Sequence, residues 1–281
     1  MFKNYLATKT DLETIEEGLK TVWRPELDFV FRKKELIAST VVVSYDSKYL
    51  YLWVPLHGKP GQYRLQKIPH NITVSSEYHR GWFAGLWKKI EDLLPVSIKK
   101  ASRFAIPRIG GGLLTPFITL QKSYKVKANP YITRESYLAT IIHEFGHIYW
   151  EQHKLWWYSN KKENLQYLKT ASRLYGGREK TFKAHLSLPS PTGVGELFAS
   201  CTEYFASGLF WPIHQINFDI FVQSRLEKLT TVEEKKDLDQ EDSVLEPGKN
   251  PHDFAVTYGK MLTSSYPQTW PQILLIRPKL A

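Results

Sequence analysis

The chain has 281 residues, of which 42% are hydrophobic, and it carries a formal net charge of +10. This length and composition allow one large domain or two smaller ones with a real apolar core, and the many aromatic residues exclude a disordered chain. The single cysteine, Cys201, excludes an intramolecular disulfide and a metal site made of several thiolates. We expect Cys201 to be a small buried apolar residue.

The charge and hydropathy patterns restrict the partners of the chain. The first 20 residues alternate charged and apolar side chains without the apolar stretch of a secretory signal, and no run of 18 apolar residues occurs. We therefore expect a cytoplasmic protein that is not associated with a membrane. Nucleic acid is an alternative partner because the chain is basic, but its lysines and arginines are spread along the sequence. A solvated, lysine-rich surface is the favoured interpretation.

The first 75 residues predict an N-terminal α+β extension, and they contain no motif that indicates a role. A short helix is predicted over residues 9–22, with Thr10 or Asp11 as its N-cap. Residues 36–55 are rich in β-branched and aromatic side chains and are interrupted at 45–48, which predicts two strands joined by a turn. Residues 63–74 are predicted to add a third and a fourth short strand.

Residues 76–229 contain the patterns expected of a larger domain. Apolar side chains at helical spacing predict a helix over 77–94, and Thr133 is a candidate N-cap for a long helix over 134–153. The remaining predicted elements, in chain order, are strands at 102–108 and 117–127 with a glycine turn at 110–112 between them, and helices at 194–210 and 214–229. Residues 230–250 are mostly charged or polar and predict a loop or linker, and 251–281 predict a last helix at 252–263 followed by a proline-punctuated tail.

The long helix carries the sequence His-Glu-Phe-Gly-His at residues 143–147, which has the pattern H-E-x-x-H. Residues i and i+4 of an α-helix lie about 40° apart and one turn along the axis, so the imidazoles of His143 and His147 can reach one cation. Glu144 lies beside them as a general base. Between residues 140 and 149 the only charged side chain, apart from the two histidines, is that of Glu144, which favours a buried catalytic helix over a surface helix.

A catalytic zinc site needs a third protein ligand, and the sequence offers three candidates. Glu196 is preferred because it lies with Glu203 on a polar stripe of an otherwise apolar helix, where a carboxylate needs a partner. The small Ala199 is expected to let this helix approach the motif helix closely. Glu203 is the alternative ligand, or it orients a ligating histidine together with Ser200. His153 is disfavoured because a helix that continues through Trp150 turns it to another face.

The H-E-x-x-H sequence, followed by Glu-Leu-Phe-Ala at 196–199, resembles the gluzincin branch of the zincin metallopeptidases and is similar to its lethal-factor-like members. The resemblance covers about residues 134–210. It implies a zincin-like α+β core, a Zn²⁺ cofactor, peptide hydrolysis and an upstream edge strand that binds substrate. By position, it makes His143, His147 and Glu196 ligands and Glu144 the base. The chain departs from the family at Ser200, where an acidic residue is common.

We therefore predict a zinc metallopeptidase with a peptide or protein substrate. The strand near 117–127 is the candidate for binding substrate backbone at its edge. The candidates for a donor to the transition state are Tyr175, His185, Tyr204 and His214, and the sequence does not choose among them. The alternatives are a nucleic-acid-associated protein with a zincin fold and a catalytically silent zincin-fold protein used for sensing or interaction. The intact Glu144 disfavours the silent form, because a scaffold without activity needs no base.

Overall fold

The computed structural model of the chain describes residues 6–46, 48–70, 114–116, 133–151, 194–220 and 259–275. These residues contain both helices and strands, and the chain divides into two compact units, Met1–Glu144 and Phe145–Ala281, whose boundary lies inside one continuous helix. In these six segments, no helix has the length and apolarity needed to cross a bilayer. The zincin-like core, the domain boundaries and the cytoplasmic location stay predictions. The elements predicted at 77–94, 102–108, 117–127 and 230–250 lie outside the described residues.

Helix α1 spans Lys9–Val22, as predicted, and begins with a capping box. The N-cap is Thr8, whereas the sequence pattern indicated Thr10 or Asp11. The Thr8 hydroxyl accepts the Asp11 N–H at 3.3 Å, and the Asp11 carboxylate accepts the Thr8 N–H at 2.7 Å. Asp11 is thus the third helical residue of the box, and both side chains bind backbone groups that the first turn leaves without helical partners.

A four-stranded sheet lies in the N-terminal unit, in the order β3-β2-β1-β4. Its strands are β1 (Val42–Tyr45), β2 (Tyr49–Pro55), β3 (Tyr63–Pro69) and β4 (Leu114–Pro116). The two strands predicted within 36–55, and the turn between them, are confirmed. The segment predicted at 63–74 forms one strand as far as Pro69, and residues 71–74 lie outside the described part. Strand β4, which pairs with β1 in parallel, was not predicted.

The turn between β1 and β2 is held by the fully buried carboxylate of Asp46. This carboxylate accepts the backbone N–H groups of Ala7, Lys48 and Tyr49 at 2.7–2.9 Å, and the hydroxyl of Tyr51 at 2.7 Å. A buried carboxylate is tolerated when several donors replace its water. Asp46 therefore ties the segment before α1 to the hairpin.

Helix α2 spans Arg134–Glu151, close to the predicted 134–153. The predicted N-cap is confirmed, because the Thr133 hydroxyl accepts the Ser136 N–H at 3.2 Å and the Ser136 hydroxyl accepts the Thr133 N–H at 2.8 Å. In the N-terminal unit, the side chain of Ile141 lies directly against Gly18 of α1. The first half of α2 is thereby anchored in the core of that unit.

The C-terminal unit is helical in its described part. Helix α3 spans Val194–Phe210, as predicted, and residues 212–220 and 259–265 form α4 and α5. Helix α6 spans Trp270–Leu275, where the sequence pattern indicated only a proline-punctuated tail. An aromatic cluster joins α2, α3 and α6: Phe198 stacks on Tyr149 with ring centroids 6.0 Å apart and contacts Trp270 at 5.7 Å. The prediction that Cys201 is buried is confirmed, and burial raises the pKa of its thiol.

Candidate metal centre

Between residues 137 and 150 of α2, the H-E-x-x-H residues lie on the one stripe that reaches solvent. From residue 137 to residue 150, every side chain is buried except those of Thr140, His143, Glu144 and His147. These four positions fall within an arc of about 100° on an α-helix. The buried residues fix the rotation of α2 about its axis, so the same packing that stabilises the helix also presents the two imidazoles and the carboxylate on its accessible side.

Helices α2 and α3 approach each other closely at Gly146 and Ala199. A Cβ atom added to Gly146 would lie 2.9 Å from the Ala199 Cα and 3.4 Å from both the Ala199 Cβ and the Thr202 hydroxyl. The expectation that Ala199 permits a close approach is confirmed. The part of Gly146 in this contact was not predicted, although a glycine inside an apolar helical pattern is itself a sign of close packing.

This crossing brings Glu196 of α3 next to His147 of α2. The His147 Nε2 and the Glu196 Oε1 are 3.3 Å apart, and the two side chains are 23% and 14% exposed. One ligand atom each from His143, His147 and Glu196 lies within 4.8 Å of the others. Within the described segments, the structure thus brings together the two motif histidines and the preferred third ligand.

The donor set suits a zinc ion, and the separation between His147 and Glu196 fits a tetrahedral one. Zinc bonds of ~2.0–2.2 Å to imidazole nitrogen and carboxylate oxygen place two ligand atoms roughly 3.3–3.6 Å apart at tetrahedral angles. The His147–Glu196 separation of 3.3 Å falls in that range. Two imidazoles and one carboxylate leave the fourth position for water or substrate, which is the pattern of catalytic rather than structural zinc sites.

Glu203 faces a different partner two turns further along α3. Its Oε1 lies 3.3 Å from the Nε2 of His214 on α4, and His214 is buried with its ring edge against Phe218. Because a carboxylate accepts, the Nε2 of His214 is the donor in this pair. Among the described residues, the group with metal-ligand spacing contains Glu196 and not Glu203. This favours Glu196 as the third ligand.

Three other predicted site residues, Ser200, Tyr204 and His214, lie among the described residues. Ser200 is buried and its Cβ faces Gly259 of α5, and its role in orienting a ligand stays a prediction, as does that of Glu203. Of the candidate donors, Tyr204 has its ring against Phe218 at 5.3 Å, and His214 is paired with Glu203. His153, Tyr175 and His185 lie outside the described residues.

Comparison with other proteins gives no independent guide to the site. No family model, no curated protein and no solved structure matches this chain. Inference about its function therefore depends on the motif and on the geometry around it.

Proposed function

We propose that the chain is a zinc-dependent peptidase in which His143, His147 and Glu196 hold the metal and Glu144 is the general base. The observation that carries this proposal is the meeting of three ligand atoms, contributed by two helices, within 4.8 Å of one another. The helix that supplies both histidines also places Glu144 on the same accessible stripe. Three ligands bind the metal and an adjacent carboxylate moves the proton in metal-assisted hydrolysis, and the chain has side chains for both tasks.

The ligand types favour zinc among the common divalent ions. Magnesium and calcium prefer oxygen ligands, and an imidazole pair is a poor match for either. Sites made of several thiolates are excluded because the chain has a single cysteine, Cys201. It is buried, and its thiol donates to the Gly259 carbonyl oxygen, with the Sγ 3.7 Å from that oxygen. Zinc accepts two imidazoles and one carboxylate in a tetrahedral arrangement without a redox change.

In the proposed hydrolysis, the metal ligands, the general base and the buried face of α2 have separate roles. When bound by His143, His147 and Glu196, a zinc ion would act as a Lewis acid that polarises a peptide carbonyl and lowers the pKa of water. Glu144 accepts a proton from the attacking water and delivers it to the leaving nitrogen of the peptide. Glu196 neutralises part of the metal charge, and its partial burial strengthens that attraction. The buried face of α2 holds both imidazoles at a fixed rotation, so little reorganisation is needed when substrate binds.

Metal binding is tested by titrating metal-free protein with Zn²⁺ against a chromophoric competitor. We expect one zinc per chain in the wild type, and an affinity more than about 100-fold lower in His143→Ala, because this change exceeds the 10–100-fold cost of altering an outer-shell partner. His57→Ala is the matched control, since His57 lies in an exposed turn of the N-terminal unit. Equal affinity in His143→Ala and His57→Ala would exclude the proposed site.

The same titration separates the two candidate carboxylates. Glu196→Gln is expected to lose zinc affinity to the same extent as His143→Ala, whereas Glu203→Gln keeps one zinc per chain. The substitution conserves shape and removes one charge in each case. The reverse outcome would transfer the role of third ligand to Glu203.

Catalysis is tested with the wild type and Glu144→Gln on a peptide library whose new amino termini are labelled after incubation. We expect cleavage by the wild type and a rate lower by about 10²–10⁴-fold in Glu144→Gln, which is the usual contribution of a general base. Both proteins should bind one zinc. A zinc-loaded wild type that cleaves no peptide would refute the peptidase and leave the silent zincin-fold alternative.

A further inference from the structure

The outer edge of strand β3 carries hydrogen-bonding groups that no described strand uses. In the sheet order, β3 is a terminal strand whose one neighbour among the described strands is β2. Hydrogen bonds from the Leu56 N–H to the Gln62 carbonyl and from the His70 N–H to the Lys48 carbonyl bracket the β2–β3 pair. Antiparallel strands alternate bonded and non-bonded positions, so Tyr63, Leu65 and Lys67 direct their N–H and C=O groups away from β2.

The hairpin that contains this edge is exclusively cationic. Between Ser47 and Ser76 the sequence has no aspartate or glutamate, and it has four lysine or arginine residues and two histidines. Arg64 and Lys67 are exposed on opposite faces of β3, and Lys59 is exposed in the preceding turn. The Lys67 ammonium lies 3.7 Å from the ring centroid of Tyr49 on the neighbouring strand β2, so its charge is held over one face of the sheet.

The strand also exposes apolar surface that a second strand would cover. Leu65 is 39% exposed, and it lies between Arg64 and Lys67 on an edge with outward backbone donors. A segment in extended conformation directs alternate side chains to the two faces of the sheet. Such a segment, if it bears carboxylates, meets a cation on either face while its backbone bonds to β3.

We propose that the edge of β3 (Tyr63–Pro69) is a docking site for an extended acidic peptide segment of a partner protein, which adds to the sheet as a further strand. Backbone pairing with residues 63, 65 and 67 supplies the geometry, and Arg64 and Lys67 supply the selection for negative charge. This site lies in the N-terminal unit and does not depend on the proposed zinc centre.

The probe is a fluorescein-labelled peptide with four Glu-Val repeats, and binding is measured by fluorescence anisotropy at low ionic strength with the full chain carrying Glu144→Gln. We expect saturable binding that weakens as salt is added. A peptide with four Lys-Val repeats should not bind. A peptide with four Glu-Pro repeats has the same charge but cannot form a strand, and it should bind at least about tenfold more weakly.

The double substitution Arg64→Glu with Lys67→Glu is expected to weaken binding of the Glu-Val peptide by at least about tenfold. Lys9→Glu with Arg32→Glu makes the same change in net charge at exposed positions outside the hairpin and should alter binding by less than about twofold. Arg64→Gln with Lys67→Gln is the milder pair, and circular dichroism checks that each variant is folded.

Three outcomes would overturn the proposal. Equal weakening by the two charge-reversed pairs would reduce the effect to net charge. Equal binding of the Glu-Pro and Glu-Val peptides would exclude strand addition. Tighter binding of a single-stranded oligothymidylate than of the Glu-Val peptide, with loss in the same Arg64 and Lys67 variants, would assign the surface to nucleic acid instead.

Discussion

Replacement of Gly146 by alanine tests whether the close crossing of α2 and α3 builds the metal centre. The added Cβ would lie 2.9 Å from the Cα of Ala199, which is a backbone atom and cannot rotate away. Ordinary contact begins at 3.4 Å, so the helices must separate by about 0.5 Å. Overpacking of this kind costs about 1–3 kcal/mol, and the better helix propensity of alanine offsets about 1 kcal/mol of it.

The shift also acts on the ligands, because Glu196 is one turn from Ala199 on the same helix. Metal sites tolerate changes of only about 0.2 Å in ligand distance. A separation of about 0.5 Å therefore lengthens the 3.3 Å contact between His147 and Glu196 beyond the tetrahedral range. We expect the zinc affinity of Gly146→Ala to fall by about 10–100-fold, in the range known for changes beside a metal ligand.

Gly208→Ala is the matched control, since it places the same methyl group on an exposed position of α3. Its nearest contact is the amide end of the flexible Gln215 side chain, which can turn away at the cost of one long, 3.4 Å hydrogen bond to the Tyr204 carbonyl. This variant is expected to gain about 0.5–1 kcal/mol from helix propensity and to keep its zinc affinity. Thermal unfolding of the metal-free proteins should separate the two variants by about 1–3 kcal/mol, or roughly 2–4 °C for each kcal/mol. The reasoning is refuted if Gly146→Ala matches Gly208→Ala in both stability and zinc affinity.

Two further predictions concern the N-terminal unit. Asp46→Asn should lower the free energy of unfolding, measured by urea titration, by about 2–4 kcal/mol. The reason is that an amide cannot accept all four of the hydrogen bonds that the buried carboxylate accepts. As a control, Asp28→Asn at an exposed position should change the free energy of unfolding by less than about 0.5 kcal/mol. Burial raises the pKa of Tyr63 to about 12, so the folded chain retains a proton that the unfolded chain releases near pH 10. This group should therefore leave the free energy of unfolding unaffected below about pH 10 and lower it by roughly 2–3 kcal/mol between about pH 10 and 12. Tyr63→Phe should remove this contribution to the alkaline loss of stability. An identical decline in the wild type and in Tyr63→Phe would contradict the prediction.

The elements that the sequence predicted well are those with local signals. Helix α3 begins and ends at the predicted residues, Val194 and Phe210, because Pro191 and Gly193 precede it in the sequence and Pro212 follows it. Helix α2 has its N-cap at Thr133, which is visible in the sequence as a polar residue before an apolar periodic run. The proximity of the two motif imidazoles also follows from helical geometry, because both histidines lie on one helix four residues apart.

The elements that were missed depend on contacts distant in sequence. Strand β4 pairs with β1 about 70 residues earlier in the chain, and its three residues have no periodicity that distinguishes them from a turn. Helix α6 is short and contains Pro271, yet the buried Trp270 packs on Phe198 of α3 and gives it tertiary support. In both cases packing outweighs a weak local preference.

The proposed third ligand was only partly predictable from the sequence, and the crossing of α2 and α3 explains why. The sequence predicts that Glu196 and Glu203 share one face of α3, but it does not indicate which of them lies next to the motif histidines. Gly146 of α2 approaches α3 at Ala199, which lies between the two carboxylates, and α3 continues from there in both directions. Glu196 lies on the side where His147 is 3.3 Å away, whereas Glu203 lies on the side where His214 of α4 is 3.3 Å away. The position of Glu196 beside His147 thus depends on where two residues without bulky side chains, Gly146 and Ala199, allow the backbones to meet. A substitution at that point tests the proposed site without changing any proposed ligand.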